Sequence, residues 1–312
     1  MIELVLKKLH KEKVQFDDLF FLAGDASNRK YFIIEQDNKK NVLMLDNDSL
    51  NLEKFIYNTL NLKTLVTVPE ILLNLKKSDI LILENFENKK YSQVLKNSNK
   101  EELYKTAIDS LIYIHKKEIK IKIKRYTVQS FFEESNLFFE WYLIKSKEED
   151  KLLLKEEFNK IFGKYLKCTF KLPSVFIHRD YHIDNLFYLK NRSRHFKCGW
   201  IDYQDALFGP CVYDLMSLTQ DARIDVEKEF ENLIINYYLN KFKNIDRQLF
   251  LYSYNILAIQ RHLKVLGIFT RLALRDKKKV YLKFIPRVKR MLQENLDRSE
   301  FKPLFKILNP LI

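Results

Sequence analysis

The sequence predicts an α+β protein with a small antiparallel β-sheet lobe at residues 1–84 and a larger, mostly helical lobe at residues 85–312. Short apolar runs separated by turn residues predict five strands in the first lobe, at residues 20–23, 31–34, 42–45, 71–75 and 80–83. Apolar residues at helical spacing predict the helices of the second lobe, at residues 98–118, 128–146, 149–167, 225–242, 246–274 and 286–297. With 312 residues the chain is long enough for two lobes that each have a core.

Two helices are predicted within the first lobe. Residues 1–15 have the spacing of an amphipathic helix, and residues 51–60 predict a helix inserted between the third and fourth strands. The segment E-N-F-E-N at residues 84–88 would connect the lobes. A plan of this kind places a ligand cleft between the two lobes.

The composition is that of a folded chain, with 46% hydrophobic and 14% aromatic residues. No apolar run reaches the length of a membrane span, and the first residues lack a cleavage signature for secretion. Cys168, Cys198 and Cys211 are odd in number and form no C-x-x-C pair. This pattern favours a reducing cytoplasm and argues against a zinc site. We therefore expect a cytoplasmic protein that does not act on membranes.

The formal net charge of +14 has two explanations, a nucleic-acid-binding surface or a lysine-rich solvated exterior. The lysines are scattered along the chain, and no recognition module of interleaved arginine and aromatic residues is found. We favour the solvated exterior and expect no nucleic-acid partner, nor is an obligate protein partner evident. A positive field would still help attract anionic ligands such as nucleotides.

The most informative stretch, residues 176–214, contains H-R-D-Y-H-I-D-N, I-D-Y-Q-D-A and G-P-C-V-Y-D-L. Asp180 follows an apolar strand, Asn185 comes five positions later, and Asp202 ends a second strand. The spacing H-R-D-x-x-x-x-N is that of a kinase catalytic loop. Phosphoryl transfer needs a carboxylate at the acceptor hydroxyl and oxygen ligands for the magnesium ions that bridge the phosphates. The stretch therefore predicts a magnesium-dependent kinase of protein-kinase-like fold.

Each of these three side chains has a predicted role. Asp180 is predicted as the catalytic base, which accepts the hydroxyl proton, and a surface-loop carboxylate is the alternative. Asn185 and Asp202 are predicted as magnesium ligands. The prediction for Asn185 depends on its spacing to Asp180, because asparagine alone is more often a turn residue than a metal ligand.

Four neighbouring side chains are assigned with alternatives. His178 is expected to brace the loop by hydrogen bonds. His182 either donates to the transferring phosphate or the substrate, or packs within the loop. Asp205 is either a further acidic contact in the cleft or a cap on the next turn, and we favour the structural role. Asp214, which opens a helix, is expected to accept hydrogen bonds from the amides of the catalytic loop.

The turn G-D-A-S-N-R, which begins at Gly24, is the candidate phosphate cradle of the first lobe. Its backbone amides from Gly24 and Asp25 onward, the Ser27 hydroxyl and Arg29 could cover phosphates at a hairpin tip. The turn matches neither G-x-G-x-x-G nor G-x-x-x-x-G-K-[ST], and an ordinary surface turn would look much the same. The third strand also lacks the lysine of protein kinases, so Arg29 or Lys30 would have to supply that charge.

These motifs together resemble the aminoglycoside phosphotransferase family of small-molecule kinases, and His182 stands where protein kinases commonly have lysine. Three further stretches resemble more closely the bacterial cell-wall sugar kinases of that family. They read L-A-G-D-A-S-N-R-K-Y-F, I-D-Y-Q-D-A-L-F-G-P and Q-R-H-L-K-V-L-G-I-F. Those kinases phosphorylate the anomeric hydroxyl of N-acetylmuramate and N-acetylglucosamine in peptidoglycan recycling. The resemblance covers about residues 20–290.

The resemblance implies ATP as the phosphoryl donor and Mg²⁺ as the cofactor. It implies Asp180 as the base and Asn185 and Asp202 as the metal ligands. The connector would meet adenine through its backbone, from Glu84 to Phe86.

The resemblance also implies that residues 24–29 lie over the phosphates. Met44 in place of the strand lysine is compatible with the sugar-kinase branch. Asn28 and Lys30 depart from the family pattern, which has larger or arginine side chains in this hairpin, and they affect the details of phosphate contact.

The acceptor site is less evident from the sequence. The segment F-F-E-W-Y at residues 138–142, with nearby glutamates such as Glu134, could bind a hexose, or its aromatic residues could be core. Gln-Arg-His in an otherwise apolar helix is costly to bury unless it faces a cleft. Arg261 could bind the lactyl carboxylate of N-acetylmuramate in a bidentate manner. A salt bridge from Arg261 to an acidic residue such as Asp205 or Asp214 is the alternative, which we rate slightly ahead.

We therefore expect a cytoplasmic enzyme that transfers phosphate from ATP to the anomeric hydroxyl of an amino sugar. A kinase of another small alcohol, such as an aminoglycoside, choline or homoserine, is one alternative. A nucleotide-binding regulator without catalysis is another, suggested by the missing strand lysine. The presence of Asp180, Asn185 and Asp202 argues against the regulator.

Overall fold

A five-stranded antiparallel sheet with the order β1-β2-β3-β5-β4 forms the amino-terminal part of the protein. This computed structural model describes residues 2–24, 29–144 and 146–312. The strands of the sheet are β1 (Asp18–Gly24), β2 (Lys30–Gln36), β3 (Lys39–Leu45), β4 (Ile71–Leu75) and β5 (Ile80–Leu83). The five strands predicted from the apolar runs are confirmed.

One face of the sheet is covered by α1 (Ile2–Lys11), the amphipathic helix predicted at the amino terminus. Val5 and Leu9 of this helix are fully buried in one cluster with Phe32 and Ile34 of β2. Successive side chains of a strand point to opposite faces, so two residues that are two positions apart share a face. The period of two in the strand and of four in the helix therefore builds this core.

The predicted inserted helix is α2 (Ser49–Leu62), between β3 and β4. It begins at an N-cap, Asp48, whose side chain accepts the N–H groups of Leu50 and Asn51. Two helices follow the sheet, α3 (Tyr91–Val94) and α4 (Lys100–His115).

The chain divides into two compact units. The first unit comprises Met1–Tyr113 and Asp184–Asp205, and the second comprises Ile114–Ile183 and Ala206–Ile312. The first unit thus includes a second small sheet, the hairpin of β7 (Leu186–Tyr188) and β8 (Cys198–Trp200). The lobe boundary placed after residue 84 stays a prediction.

The second unit is mostly helical and contains one two-stranded sheet, β6 (Ser174–Ile177) with β9 (Leu207–Pro210). Its helices are α5 (Val128–Leu137), α6 (Glu148–Thr169), α7 (Tyr213–Thr219), α8 (Lys228–Lys241), α9 (Arg247–Leu274), α10 (Ile285–Leu296) and α11 (Lys302–Leu308). An antiparallel sheet followed by a helical remainder confirms the predicted α+β class. The helix predicted at 128–146 is shorter than expected, because a π-helical turn at Phe138–Tyr142 ends it.

The longest helix, α9, crosses α5 at very short range. A Cβ atom added to Gly267 would lie 2.3 Å from the backbone carbon and oxygen of Leu137. Glycine at this position therefore lets the two helix backbones approach each other. Over the described ranges, every helix is either too short or too polar to cross a membrane.

Candidate active site

The catalytic loop, residues 178–183, follows β6 in the second unit and is held by the two ends of α7. The carboxylate of Asp214, at the start of α7, accepts the backbone N–H groups of His178 at 2.6 Å and Arg179 at 3.0 Å. The carboxylate of Asp221, just past the end of α7, accepts the N–H of Ile183 at 3.1 Å. The predicted role of Asp214 is confirmed, and Asp221 is a second anchor that the sequence analysis missed.

Asp180 lies within this loop, and its side chain is 41% exposed. Burial raises the pKa of its carboxyl, but the charges of Lys264 and Arg261 lower it more strongly. The pKa of Asp180 therefore lies well below its ordinary value, and the group is ionised at neutral pH. A carboxylate of low basicity is suited to orient a hydroxyl and to accept its proton late in the transfer.

Arg261 forms an ion pair with Asp180. Its Nη1 lies 3.7 Å from Asp180 Oδ1, and the same atom donates to the Arg179 carbonyl at 3.3 Å. The Arg261 side chain is only 6% exposed. The salt bridge to an acidic residue that the sequence analysis rated ahead is confirmed. The partner is Asp180 and neither of the two residues given as examples, and Asp205 pairs with Lys54 at 2.6 Å.

Glu134 of α5 binds several side chains around the loop through its carboxylate. Its carboxylate accepts hydrogen bonds from the Tyr126 hydroxyl at 2.9 Å, Lys264 Nζ at 3.0 Å and Gln260 Nε2 at 3.1 Å. It also forms an ion pair with Arg179. Burial raises the pKa of Glu134, but the charges of Lys264 and Arg179 outweigh burial, so the pKa is lowered.

Four donors therefore surround Glu134, which favours a structural role for it over contact with a hexose. The aromatic residues of the neighbouring segment 138–142 differ in burial. Phe138 and Phe139 are 0% and 1% exposed and belong to the core, as the structural alternative predicts. Trp141 and Tyr142 are half-buried. The polar residues of the otherwise apolar α9 did indicate the site from the sequence. Gln260 contacts Glu134, and Arg261 contacts Asp180.

His182 and His178 are both buried in the loop. Burial and the charge of Arg223 lower the pKa of His182 well below its usual value, so its imidazole is neutral. A neutral imidazole can donate one hydrogen bond and accept another. The ring of His178 packs edge-on against Tyr181, with centroids 5.6 Å apart, in agreement with a bracing role.

Asn185 and Asp202 lie at the same end of the β7–β8 hairpin in the first unit. Asn185 directly precedes β7, Asp202 follows β8 by two positions, and the N–H of Ile201 donates to the Asn185 carbonyl at 3.1 Å. Oxygen donors of this kind suit Mg²⁺. Within the described ranges no three His, Cys, Asp or Glu residues form a metal cluster. One amide and one carboxylate are few protein ligands, and Mg²⁺ is usually held by one or two carboxylates together with phosphate oxygens and water.

Asn185 and Asp202 line a cavity of about 1250 Å³ that is built entirely from the first unit. Apolar side chains form much of its wall, from Tyr31, Ile33, Val42, Phe55, Leu83, Phe86, Phe187 and Ile201. A concave, largely apolar site with a few converging polar groups is typical of small-molecule binding. The volume is sufficient for a nucleotide.

The predicted connector also lines this cavity, through Glu84 and Phe86. The N–H of Glu84 donates to the Glu70 carbonyl at 2.8 Å, and its side chain forms an ion pair with Arg192. Because the Glu84 N–H is already bonded, the Glu84 carbonyl is the backbone group suited to accept a hydrogen bond from a nucleobase. Phe86 packs against Phe187, with ring centroids 5.3 Å apart, which fixes the connector.

The candidate phosphate cradle is described at its two ends. Gly24 lines the cavity, whereas Asp25 and Ser27 lie outside the described residues. Arg29 is buried, and its Nε donates to Asp46 Oδ2 at 2.7 Å. Burial lowers the pKa of Arg29, but the hydrogen bond with Asp46 and the charge of Asp202 outweigh it, so the pKa is raised. Arg29 thus supplies a permanent positive charge near a predicted metal ligand.

The predicted site residues therefore fall into two groups. Gly24, Arg29, Glu84, Phe86, Asn185, Asp202 and Asp205 belong to the first unit, and Asp180, His182 and Arg261 belong to the second. Asp46 was not predicted as a partner of the site, and Glu134 was considered only as a contact to a hexose. The contacts that define both residues join positions far apart in sequence.

Comparison with known proteins identifies the class. The model of the phosphotransferase enzyme family (APH) matches residues 19–248, which is more than half of the chain. The protein belongs to this phosphotransferase family. Among its relatives is the N-acetylmuramate/N-acetylglucosamine kinase of Neisseria meningitidis serogroup B. The two are 30% identical over 311 residues, covering 95% of this chain and 91% of the relative.

Solved structures show the kinase-like fold. The ADP-bound aminoglycoside phosphotransferase APH(2'')-Ib is 16% identical, with a TM-score of 0.64 and coverage of 94% of this chain and 98% of the other. The choline kinase LicA from Streptococcus pneumoniae is 12% identical, with a TM-score of 0.66 and coverage of 94% of this chain and 99% of the other. At these identities the likeness concerns the fold alone.

Proposed function

We propose that this phosphotransferase transfers the γ-phosphate of ATP to the anomeric hydroxyl of N-acetylmuramate or N-acetylglucosamine, in the cytoplasm. The observation that carries the proposal is the relative from Neisseria meningitidis, which is named for these two sugars and aligns over 95% of the chain. The product is the sugar 1-phosphate. The acceptor oxygen forms a bond to the γ-phosphorus, the bond from that phosphorus to the β,γ-bridging oxygen breaks, and ADP leaves.

ATP is the proposed donor because the cavity of the first unit offers a matching set of groups. The Glu84 carbonyl is suited to accept from the exocyclic amine of adenine, and the backbone N–H of Phe86 to donate to the ring. Arg29 supplies positive charge for the phosphates, together with the turn that begins at Gly24. The ADP bound to a family member of like fold supports this assignment.

Asn185 and Asp202 are the proposed ligands of Mg²⁺. Their side-chain oxygens would hold the ion, which would supply positive charge against the phosphates. The hairpin contributes the geometry: it keeps one amide and one carboxylate at the same strand end, so that little side-chain freedom is lost on binding.

Asp180 is the proposed base. Its carboxylate orients the acceptor hydroxyl and takes its proton as the bond to phosphorus forms. Because the neighbouring cations keep the pKa of Asp180 low, positioning contributes more than basicity. Arg261 and His182 are proposed acceptor-side residues, and the burial of Arg261 favours a role in holding Asp180. The Lys54 ion pair favours a structural role for Asp205.

The test is a substrate panel. The protein is incubated with ATP, Mg²⁺ and N-acetylmuramate or N-acetylglucosamine, and phosphorus NMR should show an acid-labile sugar 1-phosphate. Choline, homoserine and an aminoglycoside serve as competing acceptors under the same conditions. A sugar 6-phosphate, or turnover of a competing acceptor alone, would overturn the proposal. Nucleotide binding without transfer to any acceptor would indicate a regulator.

A further inference from the structure

Gln204 holds the carboxylate of Asp202 by a short hydrogen bond. Gln204 Nε2 donates to Asp202 Oδ1 at 2.6 Å, and Gln204 is only 7% exposed. The amide is a neutral donor, so it fixes the orientation of the carboxylate without cancelling its charge. The carboxylate thereby keeps its attraction for a cation.

Asp202 requires support because of its backbone conformation. Its φ angle is 64°, in the left-handed region. An L-residue in this region costs about 1–2 kcal/mol. Such a conformation persists only where the surrounding structure over-determines it, and it is concentrated at functional sites.

One face of α2 supplies the rest of that support. Asn58 Nδ2 donates to the Gln204 carbonyl at 3.1 Å, and the Thr59 hydroxyl lies 2.7 Å from the Tyr203 hydroxyl. Phe55, one turn earlier, stacks on the Tyr203 ring with centroids 5.4 Å apart. Asn58 and Thr59 are 0% and 1% exposed, so these hydrogen bonds are shielded from water.

We propose that Gln204 is a positioning residue that presets Asp202 for magnesium binding, with α2 holding Gln204 in place. The inference rests on the proposed role of Asp202 as a magnesium ligand. A hydrogen-bond partner that orients a metal-binding carboxylate is worth about 10- to 100-fold in metal affinity. Loss of Gln204 should therefore weaken metal binding while leaving the nucleotide pocket intact.

The experiment measures metal and nucleotide binding separately in wild type and Gln204→Met. Mn²⁺ binding to the enzyme–ADP complex is followed by electron paramagnetic resonance, and metal-free ADP binding by calorimetry. We expect the Mn²⁺ concentration for half-saturation to rise about 10-fold or more, with metal-free ADP affinity unchanged. An unchanged Mn²⁺ affinity overturns the inference. An equal loss of metal-free ADP affinity also overturns it, since that result indicates a merely structural role.

Two further variants complete the test. Lys54→Met removes an exposed contact between the same helix and the same loop, and should leave Mn²⁺ binding unchanged. Gln204→Ala removes the amide without a long replacement side chain, so it provides the same comparison if Gln204→Met does not fold. If wild type itself shows no metal-dependent ADP binding, the proposed function fails together with this inference. Failure of the inference alone would leave the wild-type metal response intact.

Discussion

Arg29 and Asp46 form a buried ion pair, with 2.7 Å between Nε and Oδ2 and at most 5% of either side chain exposed. Asp46 directly follows β3, two positions after Met44. β3 has lysines only at its start, Lys39 and Lys40, and carries methionine at position 44 with a carboxylate just past its end. The buried positive charge comes from Arg29, which precedes β2. The pair holds that charge where it acts on Asp202.

Asp46→Asn should destabilise the protein by about 3 kcal/mol, because it leaves a buried guanidinium without its counter-charge. It should also weaken ADP binding, since Arg29 loses its fixed orientation. Urea denaturation and calorimetry measure the two effects. Lys54→Ala, which breaks a pair whose side chains are 46% and 55% exposed, is the control and should cost less than about 1 kcal/mol. Equal effects of the two substitutions would contradict the assignment.

Asp180→Asn should lower turnover by at least about 100-fold, because an amide cannot accept the hydroxyl proton. ADP affinity should stay near the wild-type value, since Asp180 belongs to the second unit and the cavity is built from the first. Coupled-enzyme kinetics and calorimetry give the two readouts. A variant with substantial activity would remove Asp180 from the role of base.

Stability should fall as the pH is lowered from 7 to 5, because three histidines of the second unit are buried as neutral rings. Burial lowers the pKa of His115 and of His262 to about 3 in each case, and lowers that of His182 well below its usual value. A histidine with a depressed folded pKa binds fewer protons when folded than when unfolded. Its contribution is therefore present above about pH 6.5 and is lost on acidification.

Asp214 has the opposite effect on the pH dependence of stability, because burial raises its folded pKa to about 7. Its contribution is present below the unfolded pKa and is lost as the pH rises through 7. The three histidines outnumber it, so the net dependence follows them. His262→Gln should flatten the dependence by about one proton. Denaturation at several pH values provides the measurement, and a free energy of unfolding independent of pH would contradict it.

Gly267→Ala should destabilise the protein by about 2 kcal/mol or more, since the added methyl group would overlap the Leu137 backbone, which cannot rotate away. Helix propensity alone predicts the reverse, a gain of about 1 kcal/mol. Gly163→Ala in α6 is the matched control, because its Cβ would meet only the tip of the Phe132 ring at 3.0 Å. It should stay within about 1 kcal/mol of wild type in the same thermal denaturation series. A Gly267→Ala variant that is more stable than wild type would contradict the close packing of α9 against the Leu137 backbone.

The elements of the fold could be read from the sequence because their signals are local. The alternation in β2 and the spacing in α9 follow from which residues face the core, and turn residues mark the ends. The spacing of Asp180 to Asn185 and the position of Asp214 were equally local signals. The ends of elements were less predictable, as the π-helical turn after α5 shows, because tertiary packing decides them.

The surroundings of two glycines show why some contacts could not be predicted from the sequence. No described glycine has a positive φ. A Cβ on Gly199 would lie 2.8 Å from the Phe86 ring, and one on Gly209 would lie 2.7 Å from Ile177. These glycines make room for side chains from distant parts of the sequence. The partners of Glu134 and Arg261 depend on the same long-range packing, which no local pattern records.

Because Asp214 and Asp221 hold the catalytic loop at the two ends of α7, the length of this helix fixes the distance between the two anchors. An α-helix turns by about 100° per residue, so one inserted residue would swing Asp221 away from Ile183 while Asp214 stayed in place. Substitutions that preserve the length of α7 leave both anchors aligned. The spacing between Asp214 and Asp221 is therefore a quantity that insertions and deletions cannot change without releasing one end of the loop. Residues outside α7 are free of that restriction, so they can change while the loop keeps its shape.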